Sequence, residues 1–217
     1  MQIRLLCLLL ILGIPAHASE TSAAVSLSAL AAKADLVALV QVRDTDYVYT
    51  RSFPSEGSAF LGVLIAYKPG NNSEEIIEVY EKGLHPHECY FENPSVYDEG
   101  RRYLVFLRRN PDDAESYRGL EQGCALEILV AEDNRYALKY PLDGIALTDK
   151  LDHLVLSYDF HDTHALVSEE DLPPVERDAL LAKGLIVPYQ EGFKYTHGID
   201  LTAARSLISS EALNPGN

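Results

Sequence analysis

Short β-type segments follow one another from Ala34 to Tyr140, each closed by a turn or a loop, and this succession limits the fold more than any other feature. Residues 34–51 (ADLVALVQVRDTDYVYTR) are rich in Val and Tyr, with alternation clearest at 39–43 and 47–49. They predict a long strand, bent or bulged near Asp44 to Asp46. Residues 52–58 (SFPSEGS) predict a turn, and 59–68 a second strand stopped by Pro69-Gly70-Asn71-Asn72. In 74–83 (EEIIEVYEKG), Ile77 and Val79 face one way and Glu78 and Tyr80 the other. Residues 84–100 read as a loop. The clearest strand is 101–110 (RRYLVFLRRN), a compact apolar run between arginine pairs. Residues 117–140 predict a strand, a turn at Asp133-Asn134 and another strand. Strands at this spacing, joined by long loops, point to a mainly β protein built on a small closed or Greek-key barrel.

Helical signals flank this region. Residues 26–34 start at Ser26 and continue in good helix formers, so a short helix leads into the first strand. After Pro141-Leu142-Asp143-Gly144 the pattern changes, and a soft boundary falls near residue 147. Residues 151–160 (LDHLVLSYDF) fit a strand or a helix equally. Residues 169–184 predict a helix with acids and prolines at its start and Gly184 at its end. Residues 198–210 predict another, with Asp200 as N-cap. The expected organisation is a signal peptide (1–18), an OB-like β-barrel domain (19–147) and a mixed helical C-terminal extension (148–217).

The signal reading rests on Arg4, the apolar run Leu5 to Ile14, and the small-x-small pattern Ala16-His17-Ala18. The run is shorter than the roughly 20 residues a bilayer span needs, so export with cleavage before Ser19 is expected, and no membrane insertion. Cys7 lies inside this segment. The mature chain therefore keeps Cys89 and Cys124, and in an oxidising compartment an even count favours a disulfide between them. That bridge would close about 36 residues, worth about 3.8 kcal/mol by loop-closure entropy. The signal holds one basic and no acidic residue, so the formal charge of −15 becomes −16 in the mature chain. Such a surface repels phosphate backbones and anionic membranes, which argues against nucleic-acid binding.

Two clusters carry candidate chemistry. In His85-Pro86-His87-Glu88-Cys89, alternate residues of an extended segment share a face and could meet a zinc ion. Pairing of Cys89 in a disulfide removes its thiolate and favours an exposed loop beside the bridge. In residues 158–164 (YDFHDTH), His161 and His164 would lie one turn apart on a helix, and a His-Asp pair could act as a general base. The spacing is not that of a metalloprotease helix, and no nucleophile elbow accompanies it, so a polar turn is the expected reading. The acidic runs Asp112-Asp113 and Glu169-Glu170-Asp171 lack an EF-hand pattern and read as turn and helix-start acids. Asn71-Asn72-Ser73 fits a glycosylation acceptor if the secretory route is eukaryotic.

The order 34–42, 59–68, 74–81, then Cys89, then Gly100–Phe106 (Gly-x-x-Tyr-Leu-Val-Phe), then Tyr117 to Cys124, resembles the TIMP-like and netrin-like proteins, which include bacterial exported members with an OB-type barrel. The match covers about residues 34–130. Inhibitors in that family chelate a protease zinc through a cysteine at the mature N-terminus. Here the mature chain starts Ser19-Glu20-Thr21-Ser22, so that mechanism does not carry over. The expected role is a non-catalytic binding or interaction module, periplasmic or extracellular, with a protein partner and no cofactor. The alternatives are a metal-dependent hydrolase using both histidine clusters, or a protease inhibitor acting through a surface loop.

Overall fold

The computed structural model describes residues 24–68, 75–83 and 89–212, with 209–212 described by backbone alone. The predicted signal peptide, the Asn71-Asn72-Ser73 acceptor, and His85 and His87 lie outside the described residues.

The expected barrel is present. Strands β1 (Leu36–Thr50), β2 (Phe53–Lys68), β3 (Ile76–Lys82), β4 (Arg102–Arg109) and β5 (Tyr117–Gly119) follow the order β1-β2-β3-β5-β4, and β4 pairs back onto β1 to close the ring. The pairings are antiparallel except β3 with β5, which run parallel at Val79 and Tyr117. This is a five-stranded Greek-key barrel of OB type.

Why β4 is so compactly apolar now has a physical cause. Val105 and Leu107 point into the barrel, with Leu36, Ala38, Val40, Leu61, Ile77 and Val79. Leu104 and Phe106 point outward, yet they too are buried, under a second cluster that includes Leu27, Leu30 and Ile208. Both faces of the strand exclude water, so the sequence shows a continuous run rather than an alternation. The first half of β1 is buried in the same two-sided way, and its far half from Arg43 is mostly exposed. The change coincides with a register irregularity between Val42 and Asp44, one residue before the expected bulge region begins.

The outer cover comes from α1 (Leu27–Lys33) and a C-terminal helix, which pack on each other. Ser26 caps α1, its Oγ accepting the Ala29 N–H at 3.1 Å. At the other end Lys68 Nζ donates to the carbonyls of Ala31 and Ala32, supplying a cation where the helix dipole is negative.

Beyond the barrel the sheet continues. β6 (Ala125–Val130) takes the part of β4 not paired with β5, and β7 (Tyr136–Lys139) lies beside it after a turn at Asn134. Residues 151–160, open between two readings, form a 3-10 turn (Asp152–Leu154) and then β8 (Val155–Ser157). A separate three-stranded sheet holds β9 (Leu166–Ser168), β10 (Ile186–Tyr189) and β11 (Gly192–Tyr195), with α2 (Pro174–Ala182) between β9 and β10. β12 (His197–Asp200) returns to the main sheet between β7 and β8. α3 (Leu201–Ala212) follows directly, and Asp200 Oδ1 accepts the Thr202 N–H at 2.8 Å, as a cap does.

One local expectation is overturned. Residues 52–58 are not a turn, because β2 already begins at Phe53. The reversal is confined to Arg51-Ser52, with Arg51 at φ 62°. Ser55 Oγ accepts the Thr50 hydroxyl and donates to the Val48 carbonyl, so polar residues that look loop-like instead stitch the hairpin tip.

Glu81 was legible only as a strand residue. It is 3% exposed, and its Oε1 accepts the Gly119 N–H at 2.8 Å, linking β3 to β5 at the end of the barrel. Replacing Glu81 with alanine is expected to lower stability by about 1–3 kcal/mol, because a buried donor loses its acceptor. Urea unfolding would reveal it, and an unchanged midpoint would show that water replaces the carboxylate without penalty.

Candidate functional site

The disulfide Cys89–Cys124 is formed, with Cα atoms 6.0 Å apart, inside the range a bridge requires. It ties the connection from β3 to β4, at Cys89, to the break between β5 and β6. The Phe91 N–H donates to Tyr47 Oη at 3.1 Å, and the Phe91 ring meets Tyr103 edge-on at 5.1 Å. Burial pushes the Tyr47 hydroxyl up to about 12, so it stays protonated under any ordinary condition.

The far end of the connection is fixed as firmly. Gly100 lies against the Val42 carbonyl, and Gln41 Nε2 donates to the Gly100 carbonyl at 3.2 Å. The Glu99 carboxylate pairs with Arg102, and the Glu99 carbonyl accepts from His164 Nε2 at 2.7 Å. Arg102 Nη1 also reaches Asp162 Oδ2 at 3.4 Å. The guanidinium thus clips the loop to the segment 161–165, which is about 60 residues away in sequence. Arg102 Nε is buried and finds no acceptor among the described residues.

Between these anchors Ser95 builds a tight turn. Its Oγ accepts the N–H groups of Tyr97 (3.2 Å) and Asp98 (3.1 Å) and lies 3.0 Å from Asp98 Oδ2. The turn lifts Val96 and Tyr97 clear of the surface. At 92% and 94% exposure they exceed every other large apolar side chain among the described residues.

A cleft lies on each side of this ridge. The larger, about 460 Å³, lies toward Tyr136 and His161 and is lined by Tyr97, Asp98, Glu99, Arg102 and Asp162 among others. The smaller, about 370 Å³, lies toward Gln41 and Arg43. The Arg102 guanidinium beside Glu99 holds that carboxyl below the usual carboxylate range. A depressed folded value means the pair stabilises fully above the ordinary Glu value of about 4.3, and that stabilisation fades as pH falls through the folded value. The Glu99 carboxyl carbon, followed by NMR, should therefore titrate below about 4.3, with loop amides losing order in the same window. A midpoint at or above the ordinary value would contradict the pairing.

The second histidine cluster is divided. His161 lines the larger cleft, whereas His164 is held by Glu99. The two do not share an α-helix, since residues 163–165 form a 3-10 turn in which Asp162 Oδ1 accepts the His164 N–H at 3.0 Å. Among the described residues no group of three His, Cys, Asp or Glu side chains is placed to hold a metal ion. Cys89, being bridged, offers no thiolate. The acidic runs take local partners: Asp112 lies 3.9 Å from Arg118, Glu169 pairs with Arg177 at 2.6 Å, and Asp171 accepts from Ser168 at 2.7 Å. No helix among the described residues is long and apolar enough to cross a membrane.

The loop is legible in the sequence, and its exposed tip is less so. The signal was local: Pro94-Ser95 before two apolar residues and Asp98-Glu99 after them fits a turn that displays its centre. Comparison with protein-family models, with curated proteins and with solved structures finds no match to this chain.

Proposed function

We propose that the protein is an exported, non-catalytic binding module that engages a protein partner through residues 93–99. The observation that carries this reading is the pairing of near-complete exposure at Val96 and Tyr97 with a loop pinned at both ends. Apolar side chains lifted into water gain when a partner covers them. A loop already held in shape loses little conformational freedom on binding, so more of that gain appears as affinity. Tyrosine suits the role, with a large rigid ring and few torsions. Export is supported by the signal-like N-terminus and by the Cys89–Cys124 bridge, which suits an oxidising compartment. The order of segments from Ala34 to Cys124 supports a relationship to TIMP-like and netrin-like proteins as part of this proposal.

Affinity capture from an extracytoplasmic extract tests the reading. Wild-type protein and a Val175→Ala control, altered at an exposed site on α2, should retain the same partner. The pair Val96→Ser with Tyr97→Ala should lose it while unfolding within about 0.5 kcal/mol of wild type. Equal capture by all three would defeat the assignment of this surface. Chelator should change neither capture nor the unfolding midpoint. A chelator-dependent loss of stability would instead favour the metal-dependent hydrolase.

A further inference from the structure

Taking the loop 93–99 as the contact surface, we infer that its partner is a basic protein segment, which buries the Tyr97 ring in an apolar pocket and places a lysine or arginine in the cleft beneath it. The charge distribution sets this chemistry. In the larger cleft, Asp98, Glu99 and Asp162 face a single cation, Arg102. That cation is already engaged, by Glu99 and by Asp162. Asp98 has no basic partner among the described residues, and it stands at the exposed foot of the ridge. The smaller cleft repeats the arrangement, with Asp98 and Glu99 against Arg43. An incoming ammonium or guanidinium therefore meets an uncompensated carboxylate.

It also meets aromatic faces. Tyr97 and Tyr136 both line the larger cleft, and a cation over such a ring is attracted by its electron-rich face. At longer range the formal charge of −15 draws basic partners in and repels acidic ones and anionic membranes. A free polyamine would satisfy the cleft but leave the Tyr97 ring, 94% exposed, in water. A protein segment satisfies both.

Selection of a random-peptide phage library on the immobilised protein tests the inference. Enriched peptides should combine Lys or Arg with a neighbouring aromatic or aliphatic residue. Their binding should fall about tenfold or more in Tyr97→Ala, as for an anchor residue. It should fall several-fold in Asp98→Asn and stay unchanged in Val175→Ala. Raising salt from about 50 to about 500 mM should weaken it, because exposed charge pairs are screened. Peptides that depend on Tyr97 but are neutral or acidic, with salt-insensitive binding, would overturn the partner chemistry and leave the loop as the contact surface. Peptides indifferent to Tyr97→Ala, or no enrichment, would overturn both.

Discussion

Protein carrying Cys89→Ala and Cys124→Ala is expected to lose about 3.8 kcal/mol of stability, the loop-closure entropy of the 35-residue separation. The enclosed segment explains the size of the effect. It contains β4 and β5, the strands that close the barrel, so the bridge restricts the part of the unfolded chain that must travel farthest to pair. Both cysteines are also buried, at 2% and 7% exposure, against Gly119. Removing two sulfurs leaves a gap there, which adds to the loss. Urea unfolding of oxidised wild type and the double variant measures the difference. A loss below about 1 kcal/mol would mean that the unfolded state is already restricted without the bridge.

Gly100→Ala carries the second large effect. A Cβ at this position would lie 1.9 Å from the Val42 carbonyl oxygen and 2.9 Å from its carbon. Both are backbone atoms, so no side chain can swing away. Relief requires the chain at 100 to move from β1, which breaks the bond from the Val42 N–H to the Arg101 carbonyl and the one from Gln41 to the Gly100 carbonyl. The cost falls at the upper end of overpacking changes, about 3 kcal/mol. Binding should fail along with stability, since Gly100 adjoins the Glu99 anchor. A variant with wild-type stability would show that the loop is held less closely than this contact implies.

Much of the barrel was legible, and the legible parts share a cause. The 101–110 run stood out because both faces of β4 are buried, and the bulge near Asp44 stood out because the polar run Arg43 to Asp46 interrupts the apolar residues where β1 leaves its two-sided burial. The helix starts at Ser26 and Asp200 were legible because each side chain meets a backbone N–H within a few residues. What escaped depends on residues distant in sequence. The parallel contact of Val79 with Tyr117 joins β3 to β5 within the ring, yet neither segment marks its partner. The hairpin tip escaped because Phe53-Pro54-Ser55-Glu56-Gly57-Ser58 has turn composition, while its strand state comes from pairing with β1 and β3.

The candidate site was legible in pieces. Residues 158–164 draw attention for their histidines, but the consequential member is Asp162, through its contact with Arg102. Arg102 itself read as one of a pair flanking a strand. Its bridging of Glu99 and Asp162 is a product of tertiary folding, which brings the loop and the C-terminal segment to one cleft.

Amide hydrogen exchange of the wild-type protein, free and saturated with its captured partner, tests the binding assignment most directly. Protection on binding is expected to be concentrated at residues 95–99 and to extend into 161–163 across the larger cleft, with the barrel strands unchanged. Protection centred elsewhere, for example at the turn between β10 and β11, with residues 95–99 still exchanging freely, would contradict it.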